Sequence, residues 1–268
     1  MFQFSSSSEN VEIRLRERSE DTSFAEDEDR LTLCEQLFLL CLNDKTGHIS
    51  LLNETISFVL RGCLLIELGL RNKIRLESSR RALSERIILV IDPQSTGDAL
   101  LDETIKILRQ ERHSLSSWLE YLSGETWSMM RGHLQIKQLK ERLAKSLVEK
   151  GLLRHSKTSY VLFEMATCPI RDTRPKNELI RQMIAFLMEQ TQQKEIDWSM
   201  HALTCLCYAA QSLETCLQTR IRGMELRNLM KRTQERLHNT SALDPRTPSE
   251  EIIVAVLEVV RKLDTIVY

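Results

Sequence analysis

The sequence predicts a mainly α-helical fold, a helical domain from which a β-hairpin protrudes. Three observations carry this. Glycine and proline are scarce, at 8 and 5 in 268 residues, which disfavours a strand-and-turn architecture. Leucine is frequent, and Lys, Glu, Arg and Gln fill long stretches between the apolar positions; these are good helix formers. The apolar and charged fractions, 42% and 28%, are those of an ordinary globular chain with ample material for a core.

The elements follow in order. Residues 1–30 hold four arginines against nine acids and read as a disordered, acidic, Ser-rich tail with too little apolar material to fold. Phe2 and Phe4 are its only aromatic residues before Phe24. The helical domain spans 31–268. Its first helix, 31–42, is apolar on most sides (Leu31, Leu33, Leu37, Phe38, Leu40, Leu42) and stops at Asn43-Asp44-Lys45-Thr46-Gly47. A second helix, 53–70, starts at Asn53 as N-cap and is apolar nearly all round, which places it in the core. Residues 73–77 and 86–91 read as short strands. Helices are expected at about 98–110, 114–122, 131–150, 176–193, 198–217, 219–238 and 248–264. Between them, 152–165 breaks the helical period: Leu152-Leu153, a polar turn, then Tyr160-Val161-Leu162-Phe163, a run of strand formers.

Composition bounds the function classes. The net charge of −1 divides into −5 over residues 1–30 and +4 over 31–268; the body can be drawn weakly to an anionic surface but lacks the strongly basic footprint of a nucleic-acid-binding domain. Seven cysteines without framework spacing read as buried free thiols of a reducing compartment, and no metal-ligand spacing is present. No apolar run is long enough to span a bilayer, so membrane attachment is expected to be peripheral. Catalytic signatures are missing too: no Gly-rich phosphate loop, no GxSxG, no HExxH. Asp102 and Glu103 are adjacent on a helix and point to different faces, which suits solvated charges better than an acid–base pair. The chain is read as a non-enzyme without cofactor or metal.

Arg61 is the most informative residue. It lies mid-helix in a segment that should be buried, and a buried guanidinium needs an anionic partner. That partner is either an internal acid such as Glu67 or Glu125, or a phosphate brought by a ligand. In the 131–150 helix, Ile136, Leu139, Leu143 and Leu147 form an apolar stripe, with Lys137, Lys140 and Ala144 as a ridge along its edge. Those lysines either snorkel at the rim or receive an anion. The helix–hairpin at 131–163 is compatible with a winged-helix nucleic-acid binder, with a purely structural hairpin, or with a surface-contacting one.

Several strings together resemble the Golgi phosphoprotein 3 family: Leu31-Thr32-Leu33, Leu60-Arg61-Gly62-Cys63 with Ile66-Glu67-Leu68, Thr96-Gly97-Asp98, Leu100-Leu101-Asp102-Glu103, Leu122-Ser123-Gly124-Glu125-Thr126-Trp127, Glu141-Arg142-Leu143-Ala144-Lys145, and Phe163 to Pro169. Beyond residue 170, Tyr208-Ala209-Ala210 and Leu213-Glu214 continue the likeness. The resemblance implies a helical domain with a four-helix centre. It implies a peripheral protein on the cytoplasmic face of Golgi membranes that binds phosphatidylinositol 4-phosphate, forms homo-oligomers and bridges glycosyltransferase tails to coatomer. By the same resemblance the lipid pocket falls on Leu52, Arg61, Lys137 and Lys140. The membrane-contact and oligomerisation hairpin falls on residues 156–167, with Tyr160, Val161, Leu162 and Phe163 at its tip. The coat-binding cluster falls on Arg14, Arg16 and Arg18.

Two departures stand out. Leu52 takes the place of the family's Trp, losing a ring that anchors at the interface; Trp118 or Phe58 are the residues that could compensate. Arg14, Arg16 and Arg18 are interleaved with Leu15 and Glu17. A helical protein–protein scaffold without lipid binding is the main alternative function.

Overall fold

The computed structural model describes residues 30–44, 47, 54–124, 129–154, 156–160, 163–189 and 196–264. By contacts the chain divides into Met1–Leu31 and Thr32–Tyr268, and the fold described is that of the second unit. Ten α-helices, two β-ladders and three 3-10 turns occur among the described residues. The expectations for residues 1–29, Asn53, Leu52, Glu125, Val161 and Leu162 lie outside them.

Four helices make the centre: α1 (Leu33–Cys41), α2 (Glu54–Leu70), α7 (Trp198–Ala209) and α10 (Pro248–Asp264), which pack on one another. Their sequences explain their place, because each is apolar on nearly every side and can be satisfied only by burial. Leu37 and Leu39 of α1, Val59, Leu60 and Leu65 of α2, Leu206 of α7 and Ile252 to Leu257 of α10 are almost wholly shielded from solvent. α2 and α10 approach closely because Gly62 and Gly69 present no side chain there. A Cβ at either would lie 2.8 Å from Val256 or Ile252, well inside contact distance.

Local capping fixes where α1 starts. Thr32 and Glu35 form a capping box, each side chain accepting the other's backbone N–H. α3 (Ala99–Leu108) begins at Asp98, whose carboxylate accepts the N–H groups of Leu100 and Leu101. α4 (Leu115–Ser123) runs from the Ser114 cap to a left-handed Gly124. Both lie against α2. Asp102 is more than a solvated charge, for it accepts from the Ser95 and Thr96 hydroxyls and the Thr96 N–H. Burial opposes its ionisation, but those hydrogen bonds outweigh it and hold its pKa below the usual value.

The first expected strands pair as an antiparallel ladder, β1 (Ile74–Leu76) with β2 (Ile88–Val90), in the register Ile74↔Val90. α6 (Arg174–Met188), α8 (Leu213–Leu217) and α9 (Gly223–His238) pack around α7. The single helix expected over 198–217 is interrupted where Gln211 adopts a left-handed conformation, φ 56°. The helix expected from 219 begins four residues later at Gly223. All seven cysteines are free, and burial pushes the Cys205 thiol up to about 12.

Candidate functional site

Arg61 sits on the second turn of α2 with 4% of its surface exposed. Its donors are met mainly by main-chain oxygens: Nε–H donates to the Leu122 carbonyl (3.1 Å), Nη1 to the Ser57 carbonyl (2.8 Å) and hydroxyl, and Nη2 to the Ile136 carbonyl (2.8 Å). A guanidinium has five N–H donors, and these contacts use four. Glu67, one of the two internal acids expected to serve Arg61, is engaged elsewhere. It accepts the Leu33 N–H and the Arg71 Nε–H, both at 2.9 Å. Ser57, the i−4 neighbour of Arg61, is the one part of this arrangement that sequence spacing could have revealed. Carbonyl acceptors carry no side-chain signal.

The helix expected over 131–150 is two pieces. Met129–Leu134 is a 3-10 turn, Gln138 is left-handed at φ 52°, and α5 begins at Leu139 and ends at Glu149. At the break the Ile136 carbonyl, which a continuous helix would give to the Lys140 N–H, accepts from Arg61, and the Ile136 N–H bonds back to Leu122 O at 3.2 Å. The apolar stripe survives, with Ile136, Leu139, Leu143 and Leu147 all buried. The lysine ridge does not. Lys137 stands exposed on the turn before the helix, and Lys140 is half-buried on its first turn. They form a corner rather than a row.

Burial, and after it the nearby charge of Arg61, lowers the Lys140 pKa. A desolvated ammonium beside a second cation is relieved by an anion. The wider surroundings favour one as well, since residues 131–157 contain eight Lys or Arg against Glu141 and Glu149 alone. α5 is held in place at both ends. The buried Glu35 carboxylate of α1 accepts from Ser146 Oγ (2.6 Å) and pairs with Lys150 Nζ (2.8 Å), while Arg142 pairs with Glu103 of α3.

The second strand pair is the expected hairpin, β3 (Ser156–Tyr160) with β4 (Phe163–Thr167), in the register Tyr160↔Phe163. Its base joins the body through an Arg154 N–H to Pro169 O bond (3.0 Å) and an Arg171 N–H to Leu152 O bond (2.8 Å). Leu52 and the Arg14, Arg16 and Arg18 cluster lie outside the described residues. Trp118 and Phe58, the candidate substitutes for the missing Trp, are both core residues at 0% and 3% exposure, so neither reaches a membrane surface. Trp118 is enclosed edge-on by His113 and Tyr121. Among the described residues no helix is long and apolar enough to cross a membrane.

Comparison with known proteins bears on the same residues. The family model described as Golgi phosphoprotein 3 (GPP34) matches residues 33–256. Two similar curated proteins are both called vacuolar protein sorting-associated protein 74. One, from Schizosaccharomyces pombe, is 40% identical over 210 residues, covering 72% of this chain and 62% of that protein. The other, from Eremothecium gossypii, is 38% identical over 224 residues, covering 78% and 66%. The match thus spans slightly under two thirds of these relatives' length.

Proposed function

The chain belongs to the Golgi phosphoprotein 3 family, and from that premise we propose that it is a peripheral adaptor of Golgi membranes. In this reading it binds phosphatidylinositol 4-phosphate and takes part in glycosyltransferase retention and vesicular transport. The observation that carries the proposal is the cationic corner: Lys137 exposed, Lys140 half-buried, and both set beside a turn braced by Arg61. A phosphate monoester carries about −1.5 to −2 charges at neutral pH. It is the anion that best relieves the strained charge of Lys140. Lysine supplies point charges here without the bidentate geometry of arginine.

The hairpin residues Tyr160, Val161, Leu162 and Phe163 supply the second contact, with the bilayer or with another copy of the chain. Each basic residue near an anionic surface contributes about 1 kcal/mol, so one corner alone gives weak, reversible attachment. Several copies acting together make it useful, which favours a homo-oligomer. Glycosyltransferase cytosolic tails and coatomer complete the assembly, the latter through Arg14, Arg16 and Arg18. Both relatives are named for vacuolar protein sorting, which accords with a trafficking role and with adaptor rather than catalytic work. The cellular test is the location of a fluorescently tagged chain. Wild type is expected to co-localise with a Golgi marker and Lys137→Ala/Lys140→Ala to become diffuse; a double variant that stays on the Golgi would remove the lipid corner from the mechanism.

A further inference from the structure

Arg61 ties a hydroxyl of α2 to the segment that carries the two lysines. One of its terminal nitrogens donates to the Ser57 hydroxyl, the other to the carbonyl of Ile136, the residue before Lys137. Both bonds leave the same planar guanidinium, so the Ser57 and Ile136 oxygens stand within ~8 Å of each other. Ser57 is half-buried on the first turn of α2, and Lys140 is half-buried on the first turn of α5. Burial, and after it the charge of Arg61, lowers the Lys140 pKa, so Lys140 lies within electrostatic reach of that guanidinium. The Ser57 hydroxyl therefore shares the corner with the lysines, though it comes from another helix.

The groups around Arg61 differ in what they offer a ligand. The Ser57, Leu122 and Ile136 carbonyls are acceptors, and acceptors repel an anion. The Ser57 hydroxyl is different. Its oxygen accepts from Arg61 Nη1, which leaves its hydrogen to donate, and among the described residues no acceptor takes that hydrogen. Accepting from a cation also strengthens a hydroxyl as a donor. A serine hydroxyl donating to water is ordinary. One whose oxygen is fixed by a buried guanidinium, beside two lysines, is held ready for an anionic acceptor.

Lysines attract any anion as point charges, so Lys137 and Lys140 alone would not tell a phosphate monoester from another anionic headgroup. A fixed hydroxyl adds direction. We propose that the Ser57 hydroxyl is a third donor of the corner and its selectivity determinant, donating to an oxygen of a phosphate monoester that Lys137 and Lys140 neutralise. The proposal rests on the reading of Lys137 and Lys140 as an anion site. The same chemistry recognises the phosphate of a lipid headgroup and that of a free inositol phosphate.

The test is vesicle sedimentation with phosphatidylinositol 4-phosphate or with phosphatidylserine at matched surface charge, on wild type, Ser57→Ala and Ser57→Thr. Ser57→Ala should lose at least ~fivefold in phosphoinositide binding while its phosphatidylserine binding changes by less than ~twofold. Ser57→Thr keeps the hydroxyl and should restore most of the loss. The urea midpoint of Ser57→Ala should stay near that of wild type, because Arg61 Nη1 keeps the Ser57 carbonyl at 2.8 Å. A hydroxyl that only braced Arg61 would, on removal, weaken both vesicle types together or lower the midpoint. Either result overturns the proposal, as does unchanged selectivity in Ser57→Ala. Calorimetry with soluble inositol 1,4-bisphosphate is the second arm. Binding of it that depends on Ser57, without vesicle binding, would assign the site to a free phosphate ester and leave the donor role standing. Wild type that binds neither probe overturns the lipid corner and this proposal with it; phosphoinositide binding that Ser57→Ala keeps overturns this proposal alone.

Discussion

Arg61 Nη2 donates to the main-chain carbonyl of Ile136 at 2.8 Å, which ties α2 to the segment that carries Lys137 and Lys140. The carbonyl it takes is the one a continuous helix would give to Lys140. Gln138 is left-handed instead, and α5 starts afresh at Leu139. Arg61 thus braces the segment that carries the corner, through the four contacts described.

Replacing Arg61 should therefore damage the fold as well as ligand binding. Arg61→Met strips the Ile136 carbonyl of its donor in a buried setting. The expected loss is about 2–4 kcal/mol, read as a lower midpoint in urea unfolding. Arg61→Lys keeps a charge but cannot reach three carbonyls, so it should recover less than half of that loss. Full stability in Arg61→Met would show that the brace is dispensable.

Lys140 should make anion binding sensitive to alkaline pH. Burial and the charge of Arg61 lower its pKa. As pH rises, Lys140 sheds its proton before an ordinary lysine does, and affinity for an anion falls with it. By linkage, binding an anion must raise the Lys140 pKa. Lys140→Arg stays charged throughout and should flatten the profile. The measurement is vesicle binding across the alkaline range, and identical profiles for wild type and the Lys140→Arg variant would count against a titrating lysine at the site.

His201 governs acid stability. It is 3% exposed, packed edge-on by Phe186 and Trp198, with the Cys205 Sγ 4.0 Å from Nε2. Burial, then the charge of Arg236, lowers its pKa to about 4. The unfolded chain takes up the proton near pH ~6.5 and the folded one only near the lowered value. Protons therefore favour the unfolded state. The stabilisation is complete above the unfolded pKa and declines as pH falls, reaching a loss of about 3 kcal/mol once the folded pKa is passed. Denaturant titrations at several pH values should show this slope in wild type and lose most of it in His201→Phe.

Gly47 secures the base of the hairpin. Its φ is +64°, and a Cβ there would stand 2.3 Å from the Cys168 carbonyl carbon and the Pro169 nitrogen. Gly47→Ala should cost about 2–4 kcal/mol through backbone strain and the clash. Limited proteolysis should then cut within residues 152–170 sooner than in wild type. An unchanged digestion pattern would mean that the hairpin is anchored without this contact.

Much of the fold was legible because burial writes itself into the sequence. α2 and α10 are rich in apolar residues, the strand around Ile74 alternates apolar and charged residues (Ile74-Arg75-Leu76), and the strand around Ile88 is an aliphatic run. The breaks were not legible. Gln138 and Gln211 adopt a left-handed backbone but carry no sequence mark of it, since neither is the glycine that such a conformation favours. The site was legible as residue types but not as geometry. Arg61 announced a buried charge, yet three of the acceptors described for it are carbonyls, which every residue has. The pairing of Glu35 with Lys150 spans more than a hundred residues and follows only from the packing of α5 on α1.

In the proposed function Lys137 and Lys140 form the phosphoinositide corner. Vesicle sedimentation tests it most directly, comparing phosphatidylinositol 4-phosphate with phosphatidylserine at matched surface charge. Wild type is predicted to pellet selectively with the phosphoinositide. Lys137→Ala/Lys140→Ala should stay in the supernatant with unchanged urea unfolding, and Lys137→Arg/Lys140→Arg should pellet as wild type does. Sedimentation of the alanine variant equal to wild type, or no phosphoinositide binding by wild type itself, would contradict the account and leave the chain as a helical scaffold without a lipid ligand.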